Sequence, residues 1–149
     1  MTEKRRPFPA RLVTVRRADR TAEGVMRLDG PRSAADALRN LIGDKDREHF
    51  VAIHVDAKNQ VLSAEIVGIG TLVSCLVHPR EVFKAAIISG AAAIVCGHNH
   101  PSGDVRPSRE DVDIERRLRD AGELLGIRVL DFIIVSDTGH WSSQETSPR

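Results

Sequence analysis

Ala91-Ala92-Ala93-Ile94-Val95-Cys96-Gly97-His98-Asn99-His100-Pro101-Ser102-Gly103-Asp104-Val105-Arg106-Pro107-Ser108-Arg109-Glu110-Asp111 falls into three pieces. Residues 91–96 are an unbroken apolar run, which reads as a buried strand. His98 and His100 follow at its end, one residue apart. On a strand, residues i and i+2 point to the same side, so these two imidazoles can aim at one point. Pro101, Gly103 and Pro107 then force a turn, and Asp111 falls in what reads as the first turn of a helix. A returning loop can bring that carboxylate to the two rings. Zinc takes nitrogen ligands at roughly 2.0–2.1 Å in a tetrahedral set, and three protein ligands with an open fourth position make the catalytic layout. The stretch therefore predicts one Zn2+ held by His98, His100 and Asp111.

Each piece also has a plainer reading. Two histidines at a strand end can be exposed loop residues. Ser108-x-x-Asp111 matches a capping box, in which Ser108 caps the helix and Asp111 returns to its backbone N–H. A carboxylate spent on a cap competes with one spent on a metal. The adjacent letters His-Asn-His are not the dispersed pattern from which the HNH nucleases take their name.

Beyond this spacing, His98-x-His100-Pro101 followed by Ser108-x-x-Asp111 resembles the JAMM (MPN-plus) metalloprotease motif. His-Asn-His-Pro-Ser-Gly followed by Pro-Ser-x-x-Asp resembles its RadC-like branch. Arg47-Glu48-His49-Phe50, the run from His78 to Ala86, and Gly126-Ile127-x-Val129-Leu130-Asp131 resemble the same branch. The likeness extends over residues 33–136. It implies an α/β fold, a mixed sheet flanked by helices, of the JAMM/MPN type related to cytidine deaminases. No Pro-Cys-x-x-Cys follows the histidines, so deaminase chemistry is not expected. It further implies that Glu48, well before the histidines at the head of a strand, is the general base and not a ligand. It gives the Ser108 hydroxyl a role at the substrate oxyanion. From the residues alone, Glu48 is a surface glutamate at a strand edge. Glu81 competes with it, although Glu81 sits in the first turn of a helix, where a carboxylate suits the dipole.

The rest of the chain sets the bounds. Its 149 residues suit one domain with a real core, and a net charge of +1 disfavours strong nonspecific binding of nucleic acid by that domain. Cys75 and Cys96 form no Cys-x-x-Cys pair, both lie in apolar runs, and no secretory leader is evident, so a reduced, cytoplasmic setting is expected. No run is apolar enough to span a membrane. Residues 1–20 carry seven Lys/Arg against two Asp/Glu, interrupted by Pro7 and Pro9. The division expected is a mobile basic arm over 1–30, the JAMM/MPN domain over 31–141 and a disordered tail over 142–149. The arm is the part that can touch DNA weakly, and a solvated terminus is its simpler reading. Between these, the spacing predicts a helix capped at Ser33 with Leu38, Leu41 and Ile42 inward, strands over 49–55, 61–70 and 72–77, a helix from Pro79 to Gly90, and the strand at 91–96. It then predicts a helix over 108–125 with Val112, Leu118, Ala121 and Leu125 inward, and a last strand over 127–135. His49, His54, His78 and His140 read as ordinary histidines, with His54 a candidate second-layer partner on the Glu48 face.

The function expected is zinc-dependent hydrolysis of a peptide or isopeptide bond in a protein or peptide substrate. Two alternatives come from other classes. One is a DNA-repair-associated accessory protein whose metal site is structural or vestigial. The other is a metal-dependent nuclease, which the near-neutral charge disfavours.

Overall fold

A computed structural model of the chain describes residues 24–70 and 77–146. The elements run α1 (Pro31–Ile42), β1 (His49–Val55), β2 (Val61–Ile69), α2 (Pro79–Ser89), β3 (Ala93–Asn99), α3 (Arg109–Leu125), β4 (Arg128–Val135), β5 (His140–Ser142) and α4 (Ser143–Thr146). The sheet order is β2-β1-β3-β4-β5. β3 and β4 are parallel and every other pair is antiparallel. This is the expected α/β layout of a mixed sheet flanked by helices. The segment 1–23, and the strand expected over 72–77 apart from Val77, lie outside the described residues.

β1 and β3 are buried along their whole length because helices cover both faces of the sheet. Such strands read as continuous apolar runs rather than alternating ones. Alternation still decides which side chain faces which helix. Val51, Ile53, Val55 and Val95 pack with Leu38 and Ile42 of α1. Phe50, Ala52, Ile94 and Cys96 pack on the other face with Val82, Phe83, Ile114 and Leu118 of α2 and α3. Gly97 lets α1 approach β3: a Cβ there would collide with the Ile133 carbonyl and the Leu38 side chain.

Local chemistry moves several boundaries. α1 starts at Pro31, not at Ser33, because proline suits the first helical position. Ser33 lies at the third position, and its hydroxyl accepts the N–H groups of Asp29 and Gly30 at 2.8 and 3.2 Å. Leu41 is exposed, while Ala34 and Ala35 join Leu38 and Ile42 inside. On α3 the inward stripe is Asp111, Ile114, Leu118 and Gly122, while Val112 and Leu125 are exposed. Gly122 takes a stripe position because the Ile127 carbonyl and the Phe83 ring leave no room for a side chain. The expected arm boundary also moves, since Leu28 is buried and Arg27 bridges Gln60.

The expectation of a disordered tail from Ser142 does not hold over 142–146. Ser142 and Ser143 are buried. Their hydroxyls donate to the Asp131 carboxylate at 2.7 and 3.2 Å, and that carboxylate also accepts the N–H groups of Phe132 and Gln144 at 2.8 and 3.2 Å. A run of serine, glutamine and threonine looks unstructured by composition. Here a buried acid needs those donors, and the run supplies them.

Candidate metal centre

The histidine pair stands where β3 leaves the sheet. His98 is 1% exposed, its ring stacked on Phe50 at 6.1 Å and edge-on to Phe132 at 5.6 Å between centroids. That packing fixes the ring, since its buried Nδ1 has no hydrogen-bond partner. His100 is oriented differently. Its Nδ1 lies 2.6 Å from the Asp104 carbonyl, which can only accept. Nδ1 therefore carries the proton, and in the neutral ring Nε2 keeps its lone pair. The 101–107 turn that supplies this carbonyl is stapled by Arg106, which forks onto the Asp104 carboxylate at 2.6 and 3.0 Å. Within the same turn the Ser102 hydroxyl accepts the Asp104 N–H at 3.4 Å.

Asp111 turns inward from the first turn of α3. Its Oδ1 is 3.0 Å from His98 Nε2, its Oδ2 is 3.4 Å from His100 Nε2, and the two Nε2 atoms are 2.9 Å apart. The capping box forms as well: Ser108 N–H donates to Asp111 Oδ2 at 2.8 Å and Asp111 N–H to Ser108 Oγ at 3.1 Å. Cap and site therefore do not compete, because one carboxylate serves both. Ser108 accepts in that box, so its own O–H remains available to donate.

Glu48 stands one residue ahead of β1, across from the histidines. Its Oε1 is 3.9 Å from His100 Nε2. Ligand atoms of Glu48, His98 and His100 all lie within 4.8 Å of one another, a set that can hold a metal ion. The electrostatics favour an ionised carboxylate beside the imidazoles. Burial would raise the Asp111 carboxyl, but hydrogen bonds to His100 and His98, the nearby imidazole charge and the Ser108 N–H prevail and hold it well below the usual carboxylate range. The hydrogen bond to Asp111 raises His100 above its ordinary value against the opposing effect of burial.

The donor set fits a tetrahedral ion. Two ligand atoms at zinc distances around one centre lie roughly 3.3 Å apart. The imidazole nitrogens are 2.9 Å apart, and each meets its own oxygen of Asp111, Oδ1 at 3.0 Å from His98 and Oδ2 at 3.4 Å from His100, all near that value. Two imidazole nitrogens at 2.9 Å also cannot both present bare lone pairs to each other. A proton or a cation has to stand between them.

The structure thus brings together all five residues singled out in the sequence: Glu48, His98, His100, Ser108 and Asp111. It keeps the competitors apart. Glu81 is exposed and paired with Lys84 at 2.8 Å. His54 sits at the far end of β1, bonded to Ser63 Oγ at 2.7 Å, so it is no partner of the site. His78 caps α2 by accepting the Arg80 N–H, and His140 pairs with Glu145 at 3.3 Å. Cys96 is in the core, where burial pushes its thiol up to about 12. Sequence reading missed Phe132 as a wall of the His98 pocket and Asn99 as a bridge to the Glu48 segment. Neither has a signal in local spacing, because both act on partners distant in the chain.

A family model described as RadC-like JAB domain matches residues 28–147. The chain belongs to that family. Related UPF0758 proteins share close sequence identity over this domain. One from Rubrobacter xylanophilus is 48% identical over 118 residues, 79% of this chain and 52% of the relative. One from Bacillus licheniformis is 50% identical over 113 residues, 74% of this chain and 50% of the relative. One from Desulforamulus reducens is 51% identical over 107 residues, 72% and 47%. The chain spans about half the length of the curated relatives it matches. Among the described residues, no helix of this RadC-like domain is long and apolar enough to cross a membrane.

Proposed function

We propose that this RadC-like JAB domain is a zinc-dependent hydrolase of peptide or isopeptide bonds. The observation that carries the reading is the convergence of two imidazoles and two carboxylates of unequal standing at one end of the sheet. Asp111 is buried and reaches both rings, at 3.0 and 3.4 Å. Glu48 is more exposed and stands off at 3.9 Å. That difference supports Asp111 as a ligand with His98 and His100, and Glu48 as the group left free to carry a proton.

Zinc held there supplies Lewis-acid activation of water and of an amide carbonyl. The protein supplies the rest. Glu48 takes the proton from the attacking water and delivers it to the leaving nitrogen. The uncommitted O–H of Ser108 donates to the oxygen on which negative charge develops; losing such a donor costs about 10²–10³ in rate. The hydrogen bond from His100 Nδ1 to the Asp104 carbonyl keeps that ring in the ligating tautomer.

Glu48→Gln keeps size and hydrogen bonding but cannot accept the proton. The variant should retain zinc at wild-type stoichiometry and lose about 10²–10⁴-fold in hydrolysis. Metal analysis alongside turnover of a substrate that the wild type cleaves gives the answer. A Glu48→Gln protein that stays fully active, or one that loses its zinc, would overturn this assignment.

A further inference from the structure

Asn99 lies between the two histidines and faces the other way. It is 2% exposed. Its carboxamide oxygen accepts the His49 N–H at 2.7 Å, and its amide nitrogen donates to the carbonyls of Arg47 at 2.9 Å and Lys45 at 3.3 Å. Arg47 and His49 are the residues on either side of Glu48. Backbone pairing between β1 and β3 runs as far as Phe50↔His98. One step further, a side-chain amide takes over, grasping a donor and an acceptor at once. Among side chains of this length only asparagine presents both in one plane.

We propose that Asn99 is a positioning residue that sets where the Glu48 carboxylate stands relative to the histidine pair. The inference rests on the reading of Glu48 as proton carrier beside a metal held by His98, His100 and Asp111. The geometry makes one rigid unit of the two halves. Asn99 belongs to the same three residues of chain as the imidazoles, so the Glu48 backbone is pinned to the ligands and not merely to the sheet. The carbonyl of Glu48 accepts the Gly70 N–H at 2.9 Å, which holds the segment from its other side. Such coupling matters because a displacement near 1 Å at a reacting group can cost about 10²-fold.

The test uses the full chain loaded with Co2+ or Zn2+, amide hydrogen exchange, and the 13C signal of the Glu48 carboxyl, identified by its loss in Glu48→Gln. In the wild type the His49 amide should exchange as slowly as those of Val51 and Ile53. Asn99→Ala should speed it about tenfold, the factor for one lost buried hydrogen bond. The variant should keep stoichiometric metal, while the Co2+-induced shift of the Glu48 carboxyl falls. A purely structural asparagine would lower thermal stability but leave that shift at its wild-type size, and this result would overturn the inference. So would a His49 amide that exchanges fast in the wild type or is unmoved in the variant. Loss of metal from Asn99→Ala would mean that Asn99 serves the ligands and not Glu48. Should Asn99→Ala fail to fold, Asn99→Ser and the wild-type His49 amide carry the same comparison. A wild type that takes up no Co2+ or Zn2+ would instead sink the reading of the site itself, and the His49 amide would still report on the clamp.

Discussion

Among the described residues, two aspartates are buried to nearly the same depth, and they do opposite things. Asp111 is 7% exposed and Asp131 is 3% exposed. Asp131 is surrounded by neutral donors: two serine hydroxyls and two backbone N–H groups close on its oxygens. Asp111 faces two imidazole nitrogens that crowd each other. The first arrangement is complete with protein atoms alone and ties β5 and α4 to β4. The second is complete only when a proton or a cation joins it. Depth of burial therefore does not mark a functional carboxylate. What marks it is whether the groups around it can be satisfied without a further charge.

The sharpest way to break this contrast is to remove each carboxylate and measure metal. Asp111→Ala and His100→Ala should each weaken zinc binding by about 10²–10³-fold, roughly a quarter share of the 10–16 kcal/mol that four-ligand zinc sites provide. Asp131→Ala should bind zinc as the wild type does. Competition with a chelating dye reads all three. Equal losses for Asp111 and Asp131 would mean that zinc follows overall fold integrity and not the proposed ligands.

Stability should rank the pair the other way. Removing Asp131 leaves buried hydroxyls and N–H groups unpaired, so Asp131→Ala should cost about 2–3 kcal/mol and free the segment after β4. Asp111→Ala in metal-free protein removes one half of a capping box and should cost about 1 kcal/mol. Urea unfolding of the metal-free variants tests the order. The contrast weakens if Asp111→Ala proves the more damaging.

The two aspartates were unequally visible in the sequence. Asp111 could be read because its partners lie close in the chain: a strand end, a proline-bounded turn and a helix start bring His98, His100 and Asp111 together by local rules. The central strands were legible too: the continuous apolar run at 91–96 reads as a buried strand, and 49–55 reads as a strand from the spacing of Val51, Ile53 and Val55. Asp131 appeared only as one letter of a resemblance. Three of its four donors lie eleven to thirteen residues on, in a polar run that composition alone marks as disorder. The Asn99 clamp was invisible for the same reason, as it joins residues about fifty positions apart. The inward face of α3 was misassigned because its stripe includes an aspartate and a glycine, which hydrophobicity counts do not place inside.

The smallest effect, and the one that separates the two environments most directly, is the slope of stability against pH in metal-free protein. Hydrogen bonds from the imidazoles outweigh burial and hold the folded Asp111 carboxyl below its unfolded value, which is about 3.9. A depressed carboxylate contributes stability that is present above the unfolded pKa and lost as pH falls through the folded one. Burial, the largest influence on Asp131, pushes its carboxyl up against the four donated hydrogen bonds. The folded state then holds that proton more tightly than the unfolded chain does. Stability from Asp131 is accordingly lost as pH rises from about 3.9 through the raised folded value. The two groups thus act in adjoining windows with opposite signs. Below the ordinary carboxylate range, Asp111→Asn should flatten the acid-side loss. Just above it, Asp131→Asn should remove a decline that the wild type shows on the way to neutrality. His100, raised by its bond to Asp111, adds a third slope higher up: its contribution is full below its unfolded value of about 6.5 and lost as pH rises through the folded one. Urea midpoints from acid to mildly basic pH, with zinc chelated, resolve the three. If the Asp131 window shows stability rising with pH, its four hydrogen bonds outweigh burial, and the two aspartates differ in partners but not in the sign of their charge preference.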